Sequence, residues 1–93
     1  MAGGTPNDRL ARLIEEAGFR SHKSFARAVM AESERAGDPL PYCDHTYVTR
    51  WLDGRVPNGK TPMFIAAALS GALRRQVTPA DIGMPLAGHL PAH

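Results

Sequence analysis

An all-α fold, a compact bundle of about five helices, is what this chain predicts. Two observations carry that expectation. Apolar residues recur at helical spacing, as Leu10, Leu13, Ile14 and Ala17 do at i, i+3, i+4 and i+7. Most of these stretches also lie between a capping residue and a helix-stopping glycine: Asn7 and Gly18, Ser21 and Gly37, Asp44 and Gly54. A length of 93 residues fits one domain with one modest core and leaves no room for a two-domain enzyme.

Taken in order, residues 1–6 are rich in proline, glycine and alanine and read as a flexible lead. The domain itself spans 7–84. Helix one opens at Asn7 or Asp8 and runs to about Ala17, and Gly18 supplies the left-handed cap that commonly ends a helix. Helix two opens at Ser21, carries Phe25, Ala26, Ala28, Val29 and Met30, and continues to about Ala36, where Gly37 stops it. Asp38, Pro39, Leu40 and Pro41 then force a non-helical connection, because proline lacks the amide donor and restricts the residue before it. Helix three starts from Asp44 as its cap and runs from His45 through Leu52 to Gly54, with Val48, Trp51 and Leu52 on the inward face. Thr46, Val48 and Thr49 are β-branched, so a strand over this stretch is a rival. Helix four is expected from Thr61 as cap, with Pro62 as first helical residue, to about Leu73, its Met63, Phe64 and Ala66 to Ala68 serving the core. A last short helix opens at Thr78 with Asp81 in the capping-box position; Ile82 packs beneath it and Gly83 ends it. Residues 85–93 read as a flexible tail or linker.

The formal net charge of +2 does not by itself select a partner, but its distribution is uneven. Glu15, Glu16, Glu32, Glu34 and Asp38 fall late in the first two helices or just after them. Arg20, Lys23, Arg27, Arg50, Arg55 and Lys60 fall in segments able to share another face; the plain alternative is a solvated mixed surface. Cys43 stands alone and has no internal disulfide partner, which points to a reducing, cytoplasmic setting. The chain has no apolar run long enough for a membrane span, and residues 1–6 lack the regions of a signal peptide.

Enzymatic chemistry finds little footing. Gly54, Gly59, Lys60 and Thr61 match the phosphate-loop pattern G-x4-G-K-[ST], but that pattern needs a strand before it and a sheet around it. The stretch from Tyr47 to Leu52 is the one plausible strand, no apolar run ends in a magnesium-binding aspartate, and Pro57 and Pro62 limit the amide nest. Cys43, His45, His22, His89 and His93 have no zinc-ligand spacing. Ser21, Ser24, Ser33 and Ser70 carry no nucleophile-elbow motif. The chain is therefore read as a non-enzyme without cofactor or metal.

Helices two to four together are similar to the lambda-repressor-like, or Xre-type, family of helix-turn-helix regulators. Phe25 and Ala26 match the Leu-Ala pair of that family's second helix. Val48 to Leu52, with Asp53 and Gly54, resemble its recognition helix and the glycine turn after it. Pro62 and the run from Ile65 to Leu69 match the helix that follows, and the resemblance covers about residues 8–84. Val77 to Met84 resemble regulators of this type from filamentous actinobacteria. The resemblance implies a bacterial, cytoplasmic protein that binds double-stranded DNA sequence-specifically and regulates transcription. One departure stands out: the family joins its second and third helices by a turn of about four residues, whereas the stretch from Met30 to Cys43 is much longer. Either helix two is extended there or a loop is inserted.

With Val48, Trp51 and Leu52 inward, His45, Thr46, Thr49 and Arg50 share the outward face and are expected at base edges in a major groove. Ser21, His22, Lys23 and Ser24, at the start of helix two, offer amides, hydroxyls and a cation to a backbone phosphate. Arg55, Asn58 and Lys60 suit a second phosphate. Tyr47 either stacks on sugar-phosphate or covers the edge of the core. Partners implied are double-stranded DNA and either a second copy on paired half-sites or a further C-terminal domain. Leu40, Pro41 and Tyr42 are the apolar spot of the long connection where pairing could also lie. The alternative function is a protein-interaction module on the same fold that docks a partner regulator.

Overall fold

The computed structural model describes residues 6–57 and 59–84. They hold four α-helices and no strand: α1 Asp8–Glu16, α2 His22–Arg35, α3 His45–Leu52 and α4 Thr61–Leu73. The lead and tail expected at 1–6 and 85–93 lie outside the described residues, except for Pro6, whose carbonyl accepts the Asp8 amide at 3.1 Å.

Each of the first three helices starts on a side-chain cap. The Asn7 side chain accepts from the Leu10 amide, Ser21 from that of Ser24, and Asp44 from that of Thr46. Such caps satisfy amides that have no partner inside the helix. Gly18 and Gly37 follow α1 and α2 at positive φ, 85° and 79°, where a side chain would be strained. The strand alternative for 45–52 is excluded: the stretch is helical, its cap outweighing the modest helix propensity of Thr46, Val48 and Thr49.

α4 is the central element, with Phe64, Ile65, Ala66, Ala68 and Leu69 all buried. A helix apolar around most of its circumference has to be covered on several sides. α2 packs against both α4 and α3, and α1 closes on α3 and α4. The core gathers Leu10 and Ile14 of α1, Phe25, Ala26 and Val29 of α2, and Val48 and Trp51 of α3. Val77, Ile82 and Met84 complete it from the last segment. Phe19 meets Phe25 edge-on at 5.0 Å between ring centres.

Four expectations need correction. Met63, expected to serve the core, is exposed on the outer side of α4. Thr61 is the first residue of α4 rather than its cap; Lys60 holds the cap position and makes no side-chain capping bond. Leu52 is half-buried, not a full member of the core. The fifth helix does not form, and residues 79–83 make successive turns instead. The expected reciprocal bonds are present there, Thr78 N to Asp81 Oδ2 at 2.9 Å and Asp81 N to Thr78 Oγ1 at 3.2 Å. But Gly83 enters the left-handed region at φ 72° within one turn, and the Met84 amide closes back on the Pro79 carbonyl at 2.8 Å. Buried Ile82 and Met84 anchor the segment without a helix.

The long connection after Met30 is both a helix extension and a loop: α2 continues to Arg35, and residues 36–44 lead to α3. Fully buried Ser33 organises it. The Ser33 hydroxyl donates to the Met30 carbonyl at 2.7 Å and accepts the Leu40 amide at 3.1 Å, while the Asp38 amide bonds the Ser33 carbonyl at 3.0 Å. No helix among the described residues is long and apolar enough to cross a membrane.

Candidate functional site

α3 divides cleanly. Val48 and Trp51, three residues apart, are buried at 0% and 4% exposure, so the helix is locked to the core along that line. His45, Thr46, Thr49 and Arg50 are exposed. His45 and Thr49, and Thr46 and Arg50, are each four apart and thus stacked on one outward face. The structure therefore brings together all four residues expected on the base-facing side.

The start of α2 meets this face. His22 Nδ1 lies 3.4 Å from Thr49 Oγ1, joining the first turn of α2 to the middle of α3. The Thr49 hydroxyl also donates to the His45 carbonyl at 3.0 Å. With its single proton committed there, Thr49 accepts from His22, so the contact selects the tautomer with hydrogen on Nδ1. The Thr49 hydroxyl is thus occupied, leaving the methyl as its free group.

Ser21 and Ser24 also serve the start of the helix itself. They form a capping box: Ser21 Oγ accepts the Ser24 amide at 3.1 Å, and Ser24 Oγ accepts the Ser21 amide at 3.3 Å and donates to the Ser21 carbonyl at 2.8 Å. The Ser24 hydroxyl has spent its proton on the Ser21 carbonyl, whereas Ser21 Oγ only accepts and keeps its own proton to donate. The site offers an anion the Ser21 hydroxyl proton, the first-turn amides of His22 and Lys23, and the exposed Lys23 side chain.

Arg55 is exposed, just beyond α3, its amide bonded to the Arg50 carbonyl at 3.1 Å. Lys60 is exposed but reaches Asp38 of the connection at 3.7 Å, an open surface pair that competes weakly with another anion. Asn58 lies outside the described residues. Among those residues the ion pairs join Arg35 to Glu32, Lys60 to Asp38 and Arg75 to Glu16; none engages Lys23, Arg50 or Arg55. The guanidinium of Arg50 lies over the Tyr47 ring, 5.8 Å from its centre. Tyr47 is half-buried and packs against the core, the second of its two expected roles.

Sequence reasoning singled out Tyr42 only as part of an apolar spot and missed its bond to Asp44, a second role for that cap. The Tyr42 hydroxyl donates to Asp44 Oδ2 at 2.7 Å while Asp44 Oδ1 accepts the Thr46 amide at 2.9 Å. The Tyr42 hydroxyl and the backbone amides of Thr46 and Tyr47 hold the Asp44 carboxyl below its ordinary range. The same bond and the adjacent negative charge push Tyr42 up. Tyr42 and Tyr47 pack edge to face at 5.8 Å. A tyrosine two residues before a helix cap carries no sequence signal for this contact. Cys43 is half-buried beside them, and burial, followed by the Asp44 charge, pushes its thiol up to about 11.

The phosphate-loop pattern of Gly54 to Thr61 is preceded by helix α3, and no strand lies among the described residues. Among the described residues no three His, Cys, Asp or Glu side chains gather into a possible metal site.

No curated protein and no solved structure matches the chain. The family model described as the SP15 N-terminal domain matches residues 10–85, from the first core residue of α1 to just beyond the last turn. The chain belongs to the SP15 N-terminal domain family.

Proposed function

We propose that this member of the SP15 N-terminal domain family binds double-stranded DNA sequence-specifically and regulates bacterial transcription in the manner of the lambda-repressor-like, Xre-type regulators its sequence resembles. In this reading α2 and α3 act as the helix-turn-helix pair, and α3 is the reading helix. The supporting observation is the split of α3: two residues fix it to the core while His45, Thr46, Thr49 and Arg50 face outward, with no acidic partner on Arg50 among the described residues. Arg50 matches a guanine edge through paired donors, and the Thr49 methyl suits a thymine methyl. Lys23, the amides of His22 and Lys23, Arg55 and Lys60 contact phosphates, which position the domain without reading sequence.

The role is binding alone, in the cytoplasm, without cofactor or catalysis. A single reading helix covers few base pairs, and each wrong pair costs only about 1–3 kcal/mol. Regulators of this kind gain discrimination by pairing two domains on half-sites about one helical turn apart. A second copy or a further C-terminal domain supplies that pairing.

The test is to retain genomic fragments on the full chain, sequence them, and measure affinity for the recovered duplex and a scrambled one. Arg50→Ala is expected to cost about 1–3 kcal/mol on the recovered duplex and to relax one base pair. Arg55→Ala and Lys60→Ala are expected to weaken both duplexes alike. Equal losses on both duplexes for Arg50→Ala would remove it from the reading role.

A second reading draws on the exposed apolar side chains Tyr42, Val56 and Met63, at 64%, 54% and 46% exposure. Exposed apolar surface is what a protein-docking module on this fold would use. In that case substitutions at these three positions impair function while Arg50→Ala does not.

A further inference from the structure

We infer that the connection between α2 and α3 belongs to the reading apparatus: Tyr42 and Tyr47 form an aromatic shelf, pinned by Asp44, that holds the Arg50 guanidinium ready for a base edge. This inference rests on the DNA-binding reading above and adds Tyr42 and Asp44 to it as positioning residues.

Four contacts run in series. Asp44 is fixed by capping α3 through the Thr46 amide at 2.9 Å. Its other oxygen holds the Tyr42 hydroxyl at 2.7 Å. The Tyr42 ring meets Tyr47 edge-on at 5.8 Å, and Tyr47 carries the Arg50 guanidinium 5.8 Å from its ring centre. Arginine is a long, rotamer-rich side chain that loses entropy when it settles on a base. A ring beneath it removes part of that loss before DNA arrives, while leaving its donors free, since stacking uses the face of the guanidinium and not its hydrogens. Core burial does not account for Tyr42, which is 64% exposed, yet both its ring and its hydroxyl are engaged. The carboxyl of Asp44 stays ionised and the Tyr42 phenol protonated across the neutral range, so the pin does not depend on pH there.

The probe is the duplex recovered from a randomised pool by the full chain, with its single base-pair variants. Discrimination at the base pair relaxed by Arg50→Ala is measured for Tyr42→Ala, Arg50→Ala and the double variant. Tyr42→Ala is expected to lose about two- to fivefold in discrimination at that one pair, the worth of an exposed cation–π contact. It should lose nothing further in the Arg50→Ala background, because coupled residues are not additive. Affinity for a scrambled duplex should stay unchanged, which a merely structural role would not preserve. Tyr42→Phe keeps the ring but removes the Asp44 pin, so it should lose part of the discrimination that Tyr42→Ala loses. It serves in place of the alanine variant if circular dichroism shows the latter unfolded, and discrimination equal to wild type would then overturn the pin. Unchanged discrimination in Tyr42→Ala, or equal losses in both backgrounds, would overturn the shelf and leave the DNA-binding reading standing. A wild-type chain that prefers no duplex would overturn both.

Discussion

The Asn7 side-chain amide donates to the Ile82 carbonyl across 2.7 Å, tying the start of α1 to a turn 75 residues further on. The same side chain accepts the Leu10 amide at 3.1 Å, and the Asn7 backbone amide bonds the Leu52 carbonyl at the end of α3 at 2.8 Å. One residue therefore caps a helix, closes the domain and braces the C-terminal end of α3. A cap and a part-buried hydrogen bond are each worth about 1 kcal/mol. Asn7→Ala is expected to cost about 2 kcal/mol in chemical denaturation. Asn7→Ser, which keeps only the cap, should cost about half of that. Equal costs for the two would mean that the Ile82 bond contributes nothing.

Trp51, buried at 4% exposure, makes α3 a part of the core. Truncating a buried tryptophan costs about 3–5 kcal/mol, against about 5–15 kcal/mol for a whole domain. Trp51→Ala should therefore melt far below wild type in a calorimetric scan and lose DNA binding through unfolding. A variant that melts normally yet fails to bind would make Trp51 a surface contact.

Cys43 should be a slow thiol. With its proton held up to about 11, the folded chain carries roughly 100-fold less thiolate at pH 8 than a thiol of ordinary acidity. Alkylation by iodoacetamide should be slow in buffer and fast in urea. The folded state favours the neutral thiol, so the unfolded chain loses its proton first. Stability contributed by this group is complete below the ordinary thiol value of 9.0 and declines as pH rises from there to about 11. Alkylation equally fast with and without urea would contradict the burial of this group.

Much of the fold was legible because its punctuation is local chemistry. Asn7, Ser21 and Asp44 cap the helices their sequence positions announced, and Val48 and Trp51 fall inward by helical spacing alone. The outward set His45, Thr46, Thr49 and Arg50 follows from the same spacing. What was not legible depends on residues distant in the chain or on competition between local signals. Thr78 and Asp81 bond as a helix start would, yet Gly83 turns the backbone before a helix can propagate. The Ser33 hydroxyl that folds the connection back on α2 looks like any helix serine until Leu40 arrives beside it. Lys60 reads as a free cation in sequence and meets Asp38 only in three dimensions. Ser24 reads as a phosphate donor, but its hydroxyl donates to the Ser21 carbonyl, while Ser21 Oγ accepts the Ser24 amide.

The central claim, that this face binds duplex DNA, is tested most directly by titrating a recovered genomic duplex with the full chain at several salt concentrations. Lys23, Arg55 and Lys60, joined by the exposed Arg20 and Arg27, can engage about 4–6 phosphates, each releasing condensed counterions. The account predicts that the logarithm of the binding constant falls with the logarithm of salt at a slope of about −4 to −5. A flat response between low and physiological salt would contradict it.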